Sequence, residues 1–240
     1  MIGQEQDFRK IHHSLDQIED PIFFHSGEWT DQSPMIMEAD RVIICEQEGQ
    51  LGLLQKLLFS TTGIVLDVLS SEPGELTLFE EEHRLRLFDW KGQALKPEHI
   101  FEDTLMERAK RINLRYAHIY SEIPETEENA QKEWKALNSF TRYSNISSAD
   151  YHQVREQMLK DWNITSWEEL DDEQKELLSE LEHIRWCRYH YLNNWSYGIP
   201  ENGKAKDAEK KIHMDLRPYC ELTEEEKEKD RENIRVLMSV

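Results

Sequence analysis

The sequence predicts a mixed α+β protein with a small α/β part at the N-terminus and a mainly α-helical part after it. Three observations predict this division. Short β-branched runs alternate with helix-like segments over the first hundred residues, long helical patterns follow from about residue 101, and the helical part contains an internal repeat. Alternating strands and helices are typical of a parallel sheet, whereas consecutive helices pack on one another. We therefore expect domains at 1–100 and 101–240.

The N-terminal elements follow from the spacing of the apolar residues. Helical spacing predicts helices at 8–18 and 51–59. Compact apolar runs predict strands at 21–24, 41–45, 63–69 and 84–88. The breaker sequence SSEPGE separates the last two strands. Strand–helix–strand order at this spacing predicts parallel βαβ units on a small sheet.

The second part is predicted to be helical from its long periodic segments. Residues 103–120 and 171–194 each form one helical pattern. Thr165 to Glu168 and Thr223 to Glu226 have the spacing of capping boxes, and the second opens a charged C-terminal helix. The middle helix is expected to turn one apolar stripe to the core, made of Leu177, Leu178, Leu181, Ile184, Tyr191 and Leu192.

Composition and charge exclude several classes of function. The formal net charge of −20 argues against a general nucleic-acid binder and against binding to an anionic membrane surface, because both would repel the chain. Three widely spaced cysteines form neither a disulfide framework nor a CxxC pair, which indicates a cytoplasmic protein. The apolar runs are too short for membrane insertion. The sequence contains neither a nucleophile motif nor a phosphate-loop motif, so it does not indicate an enzyme.

An internal repeat divides the helical part. Residues 112–116 parallel 182–186 at an offset of 70, whereas 142–145 parallel 227–230 at an offset of 85. The difference of about fifteen residues falls on 195–219, a stretch rich in lysines and aromatic residues. We therefore predict that this stretch is an insertion, carried only by the second copy and wrapped over the face of His183 and Trp186.

One helical face in the second copy carries residues that could bind something. His183, Trp186, Cys187 and His190 share this face at helical spacing. Three interpretations stay open: a metal site, a polar-aromatic face packed under a loop, or the wall of a ligand site with an arginine for an anion. The lysines that follow would steer an anion, or they are solvated residues that balance nearby acids.

The spacing of these residues resembles the RyR domain, the module repeated in ryanodine receptors and found singly in many bacterial proteins. The resemblance covers about residues 175–238. It is carried by Glu182, His183, Trp186, Arg188, Asn194, Trp195, Tyr197, Gly198, Lys211, His213, Leu216, Pro218, Tyr219, Leu222, Glu226, Lys227, Asp230 and Arg231. Residues 101–160 resemble a degenerate partner repeat, and 165–240 the RyR repeat itself.

The N-terminal part resembles the end of a Rossmann-like, Trk-type nucleotide-binding domain. Ala39 to Glu46 and the helix after them carry this resemblance. The Gly-rich phosphate turn and the acidic residue for a ribose are missing, so no NAD or other cofactor is expected.

Together the resemblances imply a non-enzymatic ligand-sensing protein. An adenine-nucleotide-like or other anionic small molecule would sit between the repeats, and a homodimer or a protein partner would receive the signal. The alternative is a structural protein–protein interaction module without a small ligand. The resemblance implies ligand contacts by His183, Trp186, Arg188, Trp195, Tyr197, Lys211, His213, Tyr116 and Asn113.

Overall fold

The computed structural model describes residues 5–14, 22–25, 33–79, 82–96, 104–201 and 203–238. The chain divides into two compact units. The first contains Phe24–Asp103, and the second contains Glu5–Phe23 together with Thr104–Val240. Helices and strands both occur, so the prediction of a mixed α+β protein is confirmed.

The first unit is built on a three-stranded parallel sheet. Its strands are β1 (Arg41–Ile44), β2 (Val65–Ser70) and β3 (Leu85–Asp89), in that spatial order. The helices of this unit are α2 (Ser33–Met37), α3 (Gln50–Ser60) and α4 (Trp90–Ala94). The predicted βαβ unit is present, because α3 connects two parallel neighbours.

One face of this sheet carries the core of the unit. Leu54 and Leu57 of α3 pack with Leu66 and Val68 of β2, and all four are almost completely buried. A 3-10 turn over Gly74–Phe79 adds Leu76 to the same core. Strands that follow one another in one direction with right-handed crossovers receive every connection on the same face. This topology explains why the core lies on one side.

The second unit is mainly helical. A lobe of three short strands lies between the last two of its helices. The strands are β4 (Ser196–Tyr197), β5 (Lys206–Asp207) and β6 (Ile212–His213). Its helices are α1 (Glu5–Ile11), α5 (Thr104–Ser121), α6 (Glu127–Ala136), α7 (Ser139–Asp150), α8 (His152–Trp162), α9 (Asp172–Leu192) and α10 (Glu224–Met238).

Two helix pairs organise this unit. In the first pair α5 packs on α7, in the second pair α9 packs on α10, and α7 also contacts α9. The shared core contains Ala109, Ile112, Leu178, Ile234 and Leu237. Helix α1 contributes as well, since His12 Nδ1 lies 2.8 Å from the carbonyl oxygen of Leu192.

Some expected elements differ from those observed. Residues 22–24 have no regular structure, so the predicted strand at 21–24 is not formed there; Pro21 lies outside the described residues. The helix predicted at 8–18 ends at Ile11, and 15–18 lie outside the described residues. Thr165 is bonded to Glu169 instead of Glu168, whereas the capping box of Thr223 and Glu226 is confirmed.

The single apolar stripe predicted for α9 is wrong in part. Leu178 and Tyr191 are buried as expected, but Leu177 and Leu192 are more than 40% exposed. The cause is that α9 contacts α7, α10 and the lobe on different sides. Buried positions are therefore distributed around the helix and include the polar residues Ser179, Glu182, His183 and His190.

Candidate functional site

His183 connects α9 to α10 and to the lobe, and we call its contact with Asp230 the clamp. Its Nδ1 lies 3.1 Å from the carboxylate of Asp230, and its Nε2 lies 2.9 Å from the carbonyl oxygen of Arg217. Both partners are acceptors, so each ring nitrogen donates a proton and the imidazole is positively charged. The side chain is only 3% exposed. The sequence-predicted ligand contact His183 is thus committed to bonds within the chain.

The pKa of His183 agrees with this geometry. Burial alone would lower the pKa, but hydrogen bonds to Asp230 and Cys187 outweigh it and raise the pKa to about 10. Burial also raises the pKa of Asp230, partly offset by the charge of His183. At neutral pH the two side chains therefore form a buried ion pair.

The first helix pair has an equivalent contact at the aligned positions. Asn145 Nδ2 on α7 donates to Asn113 Oδ1 on α5 over 3.4 Å, and both amides are buried. Asn113 stands 70 residues before His183, and Asn145 stands 85 before Asp230, which are the offsets of the sequence repeat. The sequence-predicted ligand contact Asn113 therefore occupies the place of the clamp.

Two further contacts recur at the offset of 85. The cation of Arg142 lies 5.7 Å from the ring centroid of Trp134, and that of Lys227 lies 5.1 Å from the ring centroid of Tyr219. The helices also begin alike, because Asn138 caps α7 through the amide of Thr141, as Thr223 caps α10 through the amide of Glu226.

Trp186 is surrounded by imidazole rings of this chain. Its ring centroid lies 5.7 Å from that of His183, 4.1 Å from that of His190 and 4.9 Å from that of His213. Burial lowers the pKa of His190 to about 3. The hydrogen bond between His190 Nδ1 and the carbonyl of Trp186 raises this pKa, but by less than burial lowers it. Burial also lowers the pKa of His213 to about 4. Both rings are neutral at pH 7.

The lobe covers this face, as the repeat comparison predicted. Trp195 is buried and stacks on Phe140, with ring centroids 5.1 Å apart. Lys211 has a left-handed backbone and donates from Nζ to the carbonyl of Asn193 over 3.1 Å. Tyr197 is about half exposed, and Arg188 is exposed on α9. The lobe is thus held by aromatic packing and by backbone bonds.

The comparisons with known proteins concern this same part of the chain. Residues 161–240 match the family model of the RyR domain. This match covers a third of the chain and supports an RyR-domain protein. Neither a curated protein nor a solved structure matches the chain significantly.

A second cluster lies where α9 faces α7 and α8. We call it the seam cluster: Glu182 and Arg185 of α9, Ser147 and Ser148 of α7, and Arg155 of α8. Arg155 Nη1 donates to Glu182 over 3.1 Å, and Arg185 donates to the same carboxylate over 2.7 and 3.0 Å. Ser148 donates to it over 3.3 Å.

The seam cluster carries a net positive charge. Burial alone would raise the pKa of Glu182, but Arg185 and Arg155 hold it below its usual value. Guanidinium groups stay charged, so two cations face one anion. The side chains of Arg155 and Glu182 are each 3% exposed, and that of Arg185 is 11% exposed. Arg155 Nε is shielded from solvent and has no hydrogen-bond partner.

Tyrosines surround the arginines of the seam cluster. The guanidinium of Arg155 lies 5.3 Å from the ring centroid of Tyr151. Burial first and the charge of Glu182 second raise the pKa of Tyr116 well above its usual range. Tyr116 and Tyr151 are therefore neutral and offer ring faces and hydroxyl groups next to cations.

The predicted site residues fall into two places. The lobe face of α9 brings His183, Trp186, Trp195 and His213 together, whereas Tyr116 lies beside the seam cluster. Sequence reasoning missed Glu182 and Arg155 as site residues. One signal was available for Glu182, since an acid at the start of the RyR motif lies one position from a buried histidine.

Other predicted features can be compared with the described residues. Within them no three His, Cys, Asp or Glu side chains are arranged to hold a metal ion, although Cys187 Sγ lies 3.3 Å from His183 Nε2. None of the described helices combines the length and apolarity needed to cross a bilayer.

Proposed function

We propose that the chain is a non-enzymatic cytoplasmic regulator that binds a small anionic, nucleotide-like molecule in the cleft between its two helix pairs. The observation that carries this proposal is the net positive charge of the seam cluster. Its charges lie out of solvent, although the whole chain has a net charge of −20. An uncompensated charge in a poorly polar environment is costly, and a bound anion removes that cost.

The residues at the seam suggest how such a ligand is held. Arg185 is the more exposed of the two arginines, so an anionic group approaches from its side. A guanidinium binds phosphate in bidentate fashion, and an aromatic ring stacks on a base for about 1–3 kcal/mol. Tyr116 and Tyr151 provide such rings next to the cations. Trp186 lies on the lobe face with imidazoles around its ring, so it is not part of the proposed seam site.

The proposal includes the origin of both parts. The first helix pair is a degenerate RyR repeat, supported by its clamp, cation–π and cap contacts at the aligned positions. The first unit is a truncated, Rossmann-like end of a Trk-type nucleotide-binding domain in a bacterial protein, supported by its parallel strands. It has lost nucleotide binding and serves as a structural element.

A thermal-shift and calorimetric screen tests ligand binding. ATP, ADP-ribose, cyclic nucleotides and inorganic pyrophosphate are added separately to the full chain. We expect at least one to raise the unfolding temperature, because a ligand that binds only the native state stabilises it. Arg185→Met should weaken binding at least tenfold, because it removes the more accessible of the two cations. Absence of any shift, for every compound up to millimolar concentration, would contradict the proposal.

Arg188→Met is the matched control for the position of the site. Arg188 is an exposed arginine on the same helix and was a sequence-predicted contact. If the ligand binds at the seam, binding survives Arg188→Met and is lost in Arg185→Met. If the ligand binds on the lobe face, Trp186→Phe weakens binding. Arg185→Lys keeps the positive charge at this position. It therefore distinguishes a variant that has lost binding from one that has failed to fold.

The second candidate function is a protein–protein interaction module without a small ligand. It is favoured by exposed apolar side chains on the sheet of the first unit, among them Ile43 and Phe88. In that case the anion screen gives no shift, and the partner binds the sheet of the first unit.

A further inference from the structure

One face of the parallel sheet in the first unit carries exposed apolar side chains. Ile43 of β1, Leu69 of β2 and Phe88 of β3 point to this outer face, and they are 64%, 37% and 48% exposed. Leu69 and Phe88 are direct cross-strand partners. Parallel sheets are almost always covered on both faces. The outer face therefore has the composition of a surface that packs against another element.

Among the described residues, the connections between the strands do not cover this face. Strands β1, β2 and β3 follow one another in a single direction, so their right-handed connections lie on the other face. Helix α3 and the 3-10 turn at Gly74–Phe79 accordingly pack on the inner core. An occupant of the outer face has to be supplied in another way.

The outer face is locally cationic. Arg41 and Arg86 lie on it, and Asp67 lies between them in the central strand. Arg41 Nε is 3.5 Å from Asp67 Oδ2, and the other oxygen of Asp67 is buried without a hydrogen-bond partner. Charges more than about 8 Å away are screened at physiological salt, so contacts on this face are governed by these local groups.

The size of the face fits one α-helix. Three strands spaced by about 4.8 Å span about 10 Å, and strands of this length extend about 13–20 Å. An α-helix is about 10 Å wide and rises about 1.5 Å per residue, so about three turns cover the face. The projected area of about 200 Å² is that of a small, transient contact, because a stable protein–protein interface buries roughly 800 Å² per partner.

We propose that the outer face binds a short amphipathic helix of a partner protein, with an apolar stripe and acidic flanks. The stripe packs on Ile43, Leu69 and Phe88. The acidic flanks meet Arg41 and Arg86. This interaction surface is separate from the seam and does not depend on ligand binding there.

Two designed helical peptides test the proposal. Both have 14 residues and the same leucine stripe, and one carries glutamates on its flanks where the other carries lysines. Fluorescence anisotropy of the labelled peptides with the full chain should show at least tenfold tighter binding of the acidic peptide. Arg86→Glu should reverse this preference. Failure of both peptides to bind, or tighter binding of the basic one to the natural chain, overturns the proposal.

A matched pair of phenylalanines locates the surface. Phe88→Glu should weaken binding of the acidic peptide at least tenfold, whereas Phe59→Glu should not, because Phe59 is 89% exposed on α3 and lies off the sheet face. Equal effects of the two substitutions overturn the proposal. So does a concentration-dependent dimer that Phe88→Glu abolishes, because the face would then bind a second copy. Circular dichroism confirms that both variants fold.

Discussion

Replacing the charged clamp of the second helix pair by the neutral clamp of the first is the most direct perturbation of this fold. His183→Asn and Asp230→Asn together place at these positions the amide pair that Asn113 and Asn145 form in the first pair. The double variant should fold, because the first helix pair already holds together with that chemistry. Each single variant, in contrast, leaves half of an ion pair.

The size of the effect follows from burial and pKa. Removing one partner of a buried ion pair costs about 3–5 kcal/mol, because the other charge stays unpaired. His183→Asn should cost this much, since it leaves the carboxylate of Asp230 buried. The rise of the His183 pKa to about 10 corresponds to at most about 5 kcal/mol of stabilisation. The double variant should recover more than half of the loss.

The sign of the pH dependence distinguishes the ion pair from simple packing. The folded pKa of His183 is raised, so the folded state binds the proton more tightly than the unfolded one. Its stabilising contribution is therefore complete below about pH 6.5 and is lost as the pH rises towards 10. The natural chain should lose stability over this range, and the double variant should lack that component.

Urea unfolding followed by tryptophan fluorescence measures these differences. The sequence has seven tryptophans, and Trp134, Trp162, Trp167, Trp186 and Trp195 all lie in the second unit. His118→Asn is the control, because it exchanges an exposed histidine for the same amide. The reasoning is refuted if the double variant is as unstable as the sum of the single ones, or if natural chain and double variant show the same pH curve.

Three further predictions test the packing. Glu182→Gln should destabilise the second unit by about 3–5 kcal/mol, because two buried guanidiniums then lack their carboxylate; a urea-measured loss below about 1 kcal/mol would contradict the seam. Asn163 ends α8 with φ of 57°, so Asn163→Ala should cost about 1–2 kcal/mol while Asn163→Gly is nearly neutral in thermal unfolding. Maleimide should label exposed Cys45 and Cys220 in the native state and buried Cys187 only after unfolding. Mass spectrometry measures the order of labelling, and labelling of Cys187 in the native state would contradict the prediction.

The sequence predicted the extent of helix α9, but neither its capping box of Asp171 and Gln174 nor the use of its faces. Periodicity locates a helix because apolar residues recur every three or four positions. Helix α9 contacts α7, α10 and the lobe on three sides, so polar and apolar residues are buried together and no single stripe exists. For this reason Leu177 and Leu192 were wrongly placed in the core. The repeat comparison paired Asn113 with His183, and each of the two residues contacts the facing helix of its own pair.

The partners of Glu182 could not be predicted, because they come from elements distant in sequence. Arg155 belongs to α8, which has no counterpart in the repeat alignment, and only the packing of α7 on α9 brings it to the carboxylate. Likewise, whether Trp186 is an open platform depends on where the lobe puts His213. Helical spacing within one segment contains no information on either contact.

The sequence alignment of the two helix pairs bears on the charges of the seam cluster. Glu182 aligns with Ile112 at the offset of 70 residues, and Ile112 is completely buried in an apolar core. The aligned position thus holds an aliphatic side chain in the first helix pair and a carboxylate with two arginines in the second. A buried ion network is rarely more stable than well-packed apolar residues, so stability alone does not account for this difference. The anion proposed to bind at the seam accounts for the net cation there.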